Sequence, residues 1–184
     1  GGVAKGAGMI SPDMATMLAF ITTDALITRA ALKKALKESV DASFNCITGD
    51  GDMSTNDTVL LLANGNSGIK LEEETNAVQR EFTDAVNAVC SCLARKCVTD
   101  GEKVSKFVKV RIKGAKDSKS ALKVARCIAN SLLVKTSWYG SDPNWGRVVD
   151  AAGYAKVGLS FEKITMFYNE TPVLSNGTPL IENK

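Results

Sequence analysis

The chain of 184 residues contains no histidine. Ser-His-Asp and Cys-His catalysis and His-ligated metal centres are therefore excluded within it. Any proton shuttle must use a carboxylate, a Lys, a Tyr or a terminal amine. No apolar run approaches the ~20 residues of a membrane span. The opening GGVAKGAGMI lacks the charged-then-apolar layout of a secretory signal. It also lacks an initiator Met, so the chain is expected to be a piece of a longer one. Charge of neither sign dominates: Lys+Arg 23 against Asp+Glu 20 leaves +3. Spread along the chain, that balance argues against a nucleic-acid groove or a polybasic membrane anchor. The five cysteines, Cys46, Cys90, Cys92, Cys97 and Cys127, include no CxxC pair. Without a secretory signal they read as reduced thiols of a cytosolic protein. Their spacing does not suit a zinc cluster.

What remains is an ordinary globular composition, 45% hydrophobic and 23% charged. The apolar run Thr16 to Thr23 (TMLAFITT) predicts a strand. Leu32, Leu36 and Val40 then recur at helical spacing after Thr28, a fair N-cap. Thr58 to Ala63 (TVLLLA) reads as a strand buried on both faces. A long helix is expected from about Glu72 to Val98, with Glu72, Glu73 and Glu74 in its first turn and Asp100-Gly101 ending it. Cys90 and Cys97, seven residues apart, share a face of that helix. Phe107 to Lys113 alternates Val108, Val110 and Ile112 with Lys109, Arg111 and Lys113, the pattern of a half-buried strand. A helix from Ser120 to Val134 is apolar on two sides and is expected to be covered from two directions. The loop SWYGSDPNWG precedes a short helix from Arg147 to Tyr154, and Ile164 to Tyr168 is a late strand. Glu170 to Lys184 reads as turn-rich. Alternating strands and helices imply layered α/β architecture.

Four segments compete as carriers of chemistry. GGVAKGAGMISPDMATML is Gly-rich, but GxxxxGK[ST] is absent and GxGxxG does not match, so a Gly-rich turn before a strand is the plainer reading. GDGDMSTND offers Asp50, Asp52 and Ser54 in a calcium-loop pattern, yet lacks Gly at position six and Glu at position twelve, where Leu61 stands. A hydrogen-bonded loop near the active site is favoured over a metal site. WYGSDPNWG is read as a packed loop, with Trp138 and Trp145 supplying apolar area and Asp142 and Asn144 ordering the turn. The fourth is Ala15-Thr16. Thr is a weak nucleophile unless a base activates it, and a chain without histidine can make one by cutting itself before the Thr. The new α-amine, with an ordinary pKa of about 7.7–8.0, then serves as base.

Three long segments carry a resemblance. GGVAKGAGMISPDMATMLAFITTDA, SFNCITGDGDMSTNDTVLLLANG and LLVKTSWYGSDPNWGRVVDAAGYAKVGL together resemble the ornithine acetyltransferase family, also called the glutamate N-acetyltransferase or bifunctional arginine-biosynthesis family. The resemblance runs from Gly1 to about Leu159 and continues more weakly to the end. It implies that family's α/β fold, layered sheets and helices built around a self-processing Thr nucleophile. It also implies a precursor that splits itself into α and β chains. The MA-T cleavage motif falls on Met14, Ala15 and Thr16, which makes Thr16 the new N-terminus and the acetyl-accepting nucleophile. Residues 1–15 would end the α-chain, and residues 16–184 would form a truncated β-chain. The GGxAKG Lys falls on Lys5, a substrate ligand. The DGEGATK motif matches DGEKVSK, placing a substrate-contacting Glu at Glu102; here Lys103 replaces a Gly, Val104 an Ala and Ser105 a Thr. Asp13 stands where Asn is commoner. The family's oxyanion-hole Thr-Gly pair lies upstream of Gly1, and further substrate contacts lie beyond Lys184.

The resemblance thus implies a cytoplasmic acetyltransferase of arginine biosynthesis. It would move acetyl from N-acetylornithine to glutamate through acetyl-Thr16, as a hetero-oligomer of α and β chains. No cofactor or metal is implied. Some family members also take acetyl from acetyl-CoA, which stays open as a second donor. The rival readings are a related self-processing aminopeptidase, against which Thr rather than Ser argues, and a catalytically inactive assembly fragment. No nucleic-acid or membrane partner is expected.

Overall fold

The computed structural model describes residues 1–6, 17–52 and 56–180. They fall into two compact units, Gly1–Phe107 and Val108–Lys184.

The first unit is a three-stranded sheet with two helices on one face. Strands β1 (Gly2–Lys5), β2 (Leu18–Thr23) and β3 (Thr58–Ala63) lie in the order β1-β2-β3. β1 runs antiparallel to β2, with Lys5 opposite Leu18. β3 runs parallel to β2, with Leu18 opposite Thr58. Parallel neighbours need a crossover, and helix α1 (Arg29–Ala42) lies within it. Thr28 caps α1, accepting from the Ala31 amide at 3.4 Å. Helix α2 (Asn76–Thr99) follows β3. Its start differs from expectation: Glu72 lies in a 3₁₀ turn, Leu71–Glu73, before the helix. The Thr75 hydroxyl accepts from Val78 N and sets the N-terminus there. Glu72 instead accepts the Thr28 amide at 2.6 Å.

The strand period of two divides the sheet's faces. Ala19 and Ile21, with Ala4, Val59 and Leu61, meet Val86, Cys90, Leu93, Ala94 and Cys97 of α2. Cys90 and Cys97 do share the buried face, as their spacing predicts. The opposite face holds Val3, Leu18, Phe20, Leu60 and Leu62, all exposed. β3 is therefore buried on one face only, contrary to its reading as fully buried: Leu62 remains 51% accessible. β1 emerges from what reads as a Gly-rich turn. Gly2 is needed there, because a Cβ on it would stand 3.1 Å from Phe20 O and from Leu93 Cδ1.

The second unit gathers helices α3 (Ser118–Asn130), α4 (Leu132–Tyr139) and α5 (Trp145–Gly153) around Val124, Ile128, Val134, Ala151 and Ala152. The single helix expected over Ser120 to Val134 is two, because the Ser131 hydroxyl accepts from Val134 N and caps a new helix. Of its second apolar side, Leu122 and Ala129 are half-buried and Leu133 is exposed. Much of the expected loop SWYGSDPNWG is helical: α4 runs to Tyr139 and α5 starts at Trp145. Asn144 orders the remaining turn, donating to Asp142 at 2.9 Å and accepting the Arg147 amide at 3.1 Å. Arg147 Nη1 then donates to Leu133 O and Thr136 Oγ1, tying α5 to α4.

Residues 107–113 pair with no described strand. Val110 and Ile112 pack on the second unit's core, so alternation marks a half-buried side without supplying a ladder partner. The late strand is β4 (Met166–Tyr168), and the turn-rich tail adds β5 (Thr171–Ser175) and β6 (Thr178–Pro179) to it in a second, all-antiparallel sheet. Asn176 and Gly177 turn it with φ of 47° and 74°, the Asn-Gly signature of a tight hairpin. No helix among the described residues is long and apolar enough to cross a membrane.

Candidate active site

Ala15 and Thr16, the expected cleavage pair, lie outside the described residues. Their covalent neighbour Met17 does not, and the sheet fixes what surrounds it. β1 ends where β2 begins, so Lys5 closes its strand opposite Leu18, two residues beyond Thr16. Lys5 is exposed and forms no ion pair with a described residue.

β3 begins at the same end, because it is parallel to β2. That brings Asp57, the residue before β3, against Met17. The Met17 amide donates to Asp57 Oδ1 at 2.6 Å, and Met17 O accepts from Thr58 N at 3.0 Å. Asp57 Oδ2 is buried and accepts no hydrogen bond from a described residue. Burial pushes the Asp57 carboxyl above its ordinary range, partly offset by the Met17 amide. The polar loop GDGDMSTND thus delivers a carboxylate to the residue that follows Thr16. Its described part is also turned by its own side chains, with Asp52 N donating to Asp50 Oδ1 at 3.0 Å.

The last turn of α2 closes the inner side of this region. A Cβ on Gly6 would stand 3.8 Å from Cys97 Sγ and 3.9 Å from Met17 Cβ. Burial, with the Asp100 charge second, pushes the Cys97 thiol up. A thiol held protonated is a packing group and a poor nucleophile.

Glu102 lies five residues beyond Cys97, exposed in the turn that leaves α2. Val104 N donates to Gly101 O at 3.3 Å, closing that turn. Its third residue, Lys103, has φ 52°, the left-handed conformation that turns ordinarily assign to Gly. The left-handed backbone explains why the resembling motif carries Gly at this place. Arg95 stacks 5.2 Å from the Phe107 ring and holds the last residue of the first unit to α2. Glu102 has no ion pair with Lys5 or any other described residue. The structure therefore joins Lys5, Met17 and Asp57 at one end of the sheet, with the α2 terminus beside them. Glu102 enters through its position after that helix and not through a contact.

Asp57 was invisible as a site residue in the sequence because its loop reads as turn chemistry. The signal was the β2–α1–β3 crossover: parallel strands start at the same end, so residues preceding them become neighbours.

A parallel and antiparallel sheet backed by helices defines the class, a mixed α/β fold. Comparison makes it specific: the ArgJ family profile matches residues 1–184, and the chain belongs to the ArgJ family. It is 47% identical over 188 residues to a glutamate N-acetyltransferase of Methanocaldococcus jannaschii, covering 99% of this chain and 46% of that protein. It is 50% identical over 168 residues to the arginine biosynthesis bifunctional protein ArgJ of Thermotoga neapolitana, covering 91% of this chain and 42% of that one. The crystal structure of ArgJ from Bacillus halodurans superposes with a TM-score of 0.83 at 37% identity, covering 87% of this chain and 75% of that chain. The layered α/β fold expected from the resemblance is the fold found. The chain spans about half the length of the curated relatives it matches.

Proposed function

We propose that this chain carries the nucleophile of a glutamate N-acetyltransferase that moves acetyl from N-acetylornithine to glutamate in arginine biosynthesis. The observation that supports the proposal is the meeting of Lys5, Met17 and Asp57 at one sheet end, Met17 being next in sequence to the residue that the family motif makes the nucleophile. The precursor cuts itself between Ala15 and Thr16. Thr16 Oγ attacks the Ala15 carbonyl, the amide nitrogen leaves as the new α-amine, and water opens the ester. In turnover Thr16 Oγ attacks the N-acetyl carbonyl of N-acetylornithine and releases ornithine. The acetyl-Thr16 ester then passes its acetyl to the amine of glutamate, a ping-pong sequence. Lys5 supplies a cation for a substrate carboxylate, and Glu102 an anion for an α-ammonium. The scheme calls for no cofactor, and acetyl-CoA stays open as a second acetyl donor.

Residues 1–15 end the α-chain and residues 16–184 begin the β-chain. The α-chain supplies the oxyanion donors, whose single loss typically costs ~10²–10³ in rate. It also covers the exposed apolar sheet face of Val3, Leu18, Phe20, Leu60 and Leu62. The assembly is a cytoplasmic α/β hetero-oligomer, and residues 1–184 by themselves are inactive. The test is Thr16→Ala in the complete precursor, which should remain uncut and release no ornithine from N-acetylornithine. Efficient cutting of that variant at the same bond would contradict the proposal, and peptide hydrolysis without acetyl transfer would favour an aminopeptidase.

A further inference from the structure

Asp57, the residue before β3, is bound on one oxygen only. Oδ1 takes the Met17 amide at 2.6 Å, while Oδ2 is buried without a hydrogen bond from any described residue. Buried polar atoms are nearly always paired, so an orphaned carboxylate oxygen needs an explanation. A positive group at Oδ2 would supply one. Among the described residues no lysine, arginine or N-terminus forms an ion pair with Asp57. The amide that Asp57 holds is the one that joins Met17 to Thr16. The carboxylate is thus tethered one peptide bond from the assigned nucleophile.

We infer that Asp57 is the positioning carboxylate of the Thr16 α-amine, with Oδ1 fixing the main chain at Met17 and Oδ2 accepting from the amine once the chain is cut. The inference rests on Thr16 being the nucleophile, as proposed above. During acetyl transfer the neutral amine takes the proton of Thr16 Oγ as that oxygen bonds to the acetyl carbon. The O–H bond breaks, an N–H bond forms, and the carbonyl electron pair moves onto its oxygen. The resulting ammonium then gives its proton to the departing ornithine nitrogen as the C–N bond breaks. Asp57 stays ionised throughout; it orients the amine and stabilises the ammonium, as a buried Asp does for the base of a Ser-His-Asp triad. Before cutting, the nitrogen of residue 16 is an uncharged amide, and Oδ2 has no cation to receive.

This separates two activities that share a nucleophile. Cutting precedes the α-amine and does not use it, whereas turnover does. Asp57→Asn keeps the shape and the Met17 hydrogen bond but removes the charge. In the complete enzyme it should still cut at Ala15-Thr16. Its kcat should fall by about 10²–10³-fold, with the KM for N-acetylornithine within about twofold, as for loss of a group that stabilises charge in the transition state. Its melting temperature should be unchanged or higher. Asp57→Ala also loses the bond to Met17 and should melt lower. A wild-type kcat in Asp57→Asn overturns the inference and leaves the Thr16 reading standing. An Asp57→Asn precursor that no longer cuts, or melts markedly lower, makes Asp57 a structural residue and also overturns it. Acetyl transfer by Thr16→Ala would overturn both.

Discussion

Replacing Lys103 by Gly should stabilise the chain. Lys103 has φ 52°, where an L-residue's Cβ crowds its own carbonyl at a cost of about 1–2 kcal/mol. Its side chain is exposed and makes no ion pair with a described residue, so truncation loses no partner. Gly removes the crowding but has more freedom in the unfolded chain, which takes back about 0.4–1 kcal/mol. The net gain is about 0.5–1 kcal/mol, or a rise in Tm of about 1–4 °C at this chain length. Urea unfolding followed by circular dichroism would measure it, with Lys103→Ala as control, since Ala keeps the Cβ and should gain nothing. A Lys103→Gly variant less stable than wild type, or a Lys103→Ala variant that gains equally, would refute the reasoning. The result bears on Glu102, because a left-handed residue 103 shapes the turn that presents it.

Lys5→Ala in the complete enzyme should weaken turnover while leaving Tm nearly unchanged, because Lys5 is exposed at a strand end; steady-state kinetics beside a melting curve would check it. Glu102→Gln, which keeps shape and removes charge, should raise the KM for N-acetylornithine, and unaltered kinetics would remove Glu102 from the substrate ligands. Gly177→Ala should destabilise by about 1–3 kcal/mol, because φ is 74° and a Cβ would stand 3.0 Å from Phe161 O; equilibrium unfolding reads the loss. In the uncut Thr16→Ala precursor, the folded Asp57 carboxyl binds its proton more tightly than the unfolded one, whose ordinary value is 3.8. Its penalty is therefore absent below that value and grows as pH rises through the raised folded value. Asp57→Asn in that background should be the more stable at neutral pH and lose the advantage below about pH 4, as paired pH-dependent melts would show.

Local chemistry was legible where side chains act on their own backbone. Thr28 stops α1 where its hydroxyl caps it, and the i, i+4 apolar pattern gives both long helices of the first unit. The misses share a cause: they depend on partners distant in sequence or on one polar residue inside an apolar run. Gly2–Lys5 is a strand because β2 lies beside it and Leu93 approaches too closely for a Cβ. Phe107 to Lys113 has the alternation of a strand but no described partner. Ser131 breaks a helix that hydrophobic periodicity alone would continue. Glu170 to Lys184 reads as turn-rich, and the hairpin turned at Asn176-Gly177 shows only once its strands are paired. The site divides in the same way. Lys5 and Glu102 were found through motif resemblance, whereas Asp57 becomes a site residue only when parallel pairing sets it against Met17.

The central claim is that Thr16 carries the acetyl group, and mass spectrometry of the Thr16 peptide tests it most directly. Complete enzyme would be mixed with N-acetylornithine in the absence of glutamate, quenched in acid and digested. The expected product is a β-chain beginning at Thr16, with one acetyl group on its hydroxyl that disappears when glutamate is added. An unmodified Thr16 under conditions in which ornithine is released, or an acetyl group on another residue that turns over with glutamate, would contradict it.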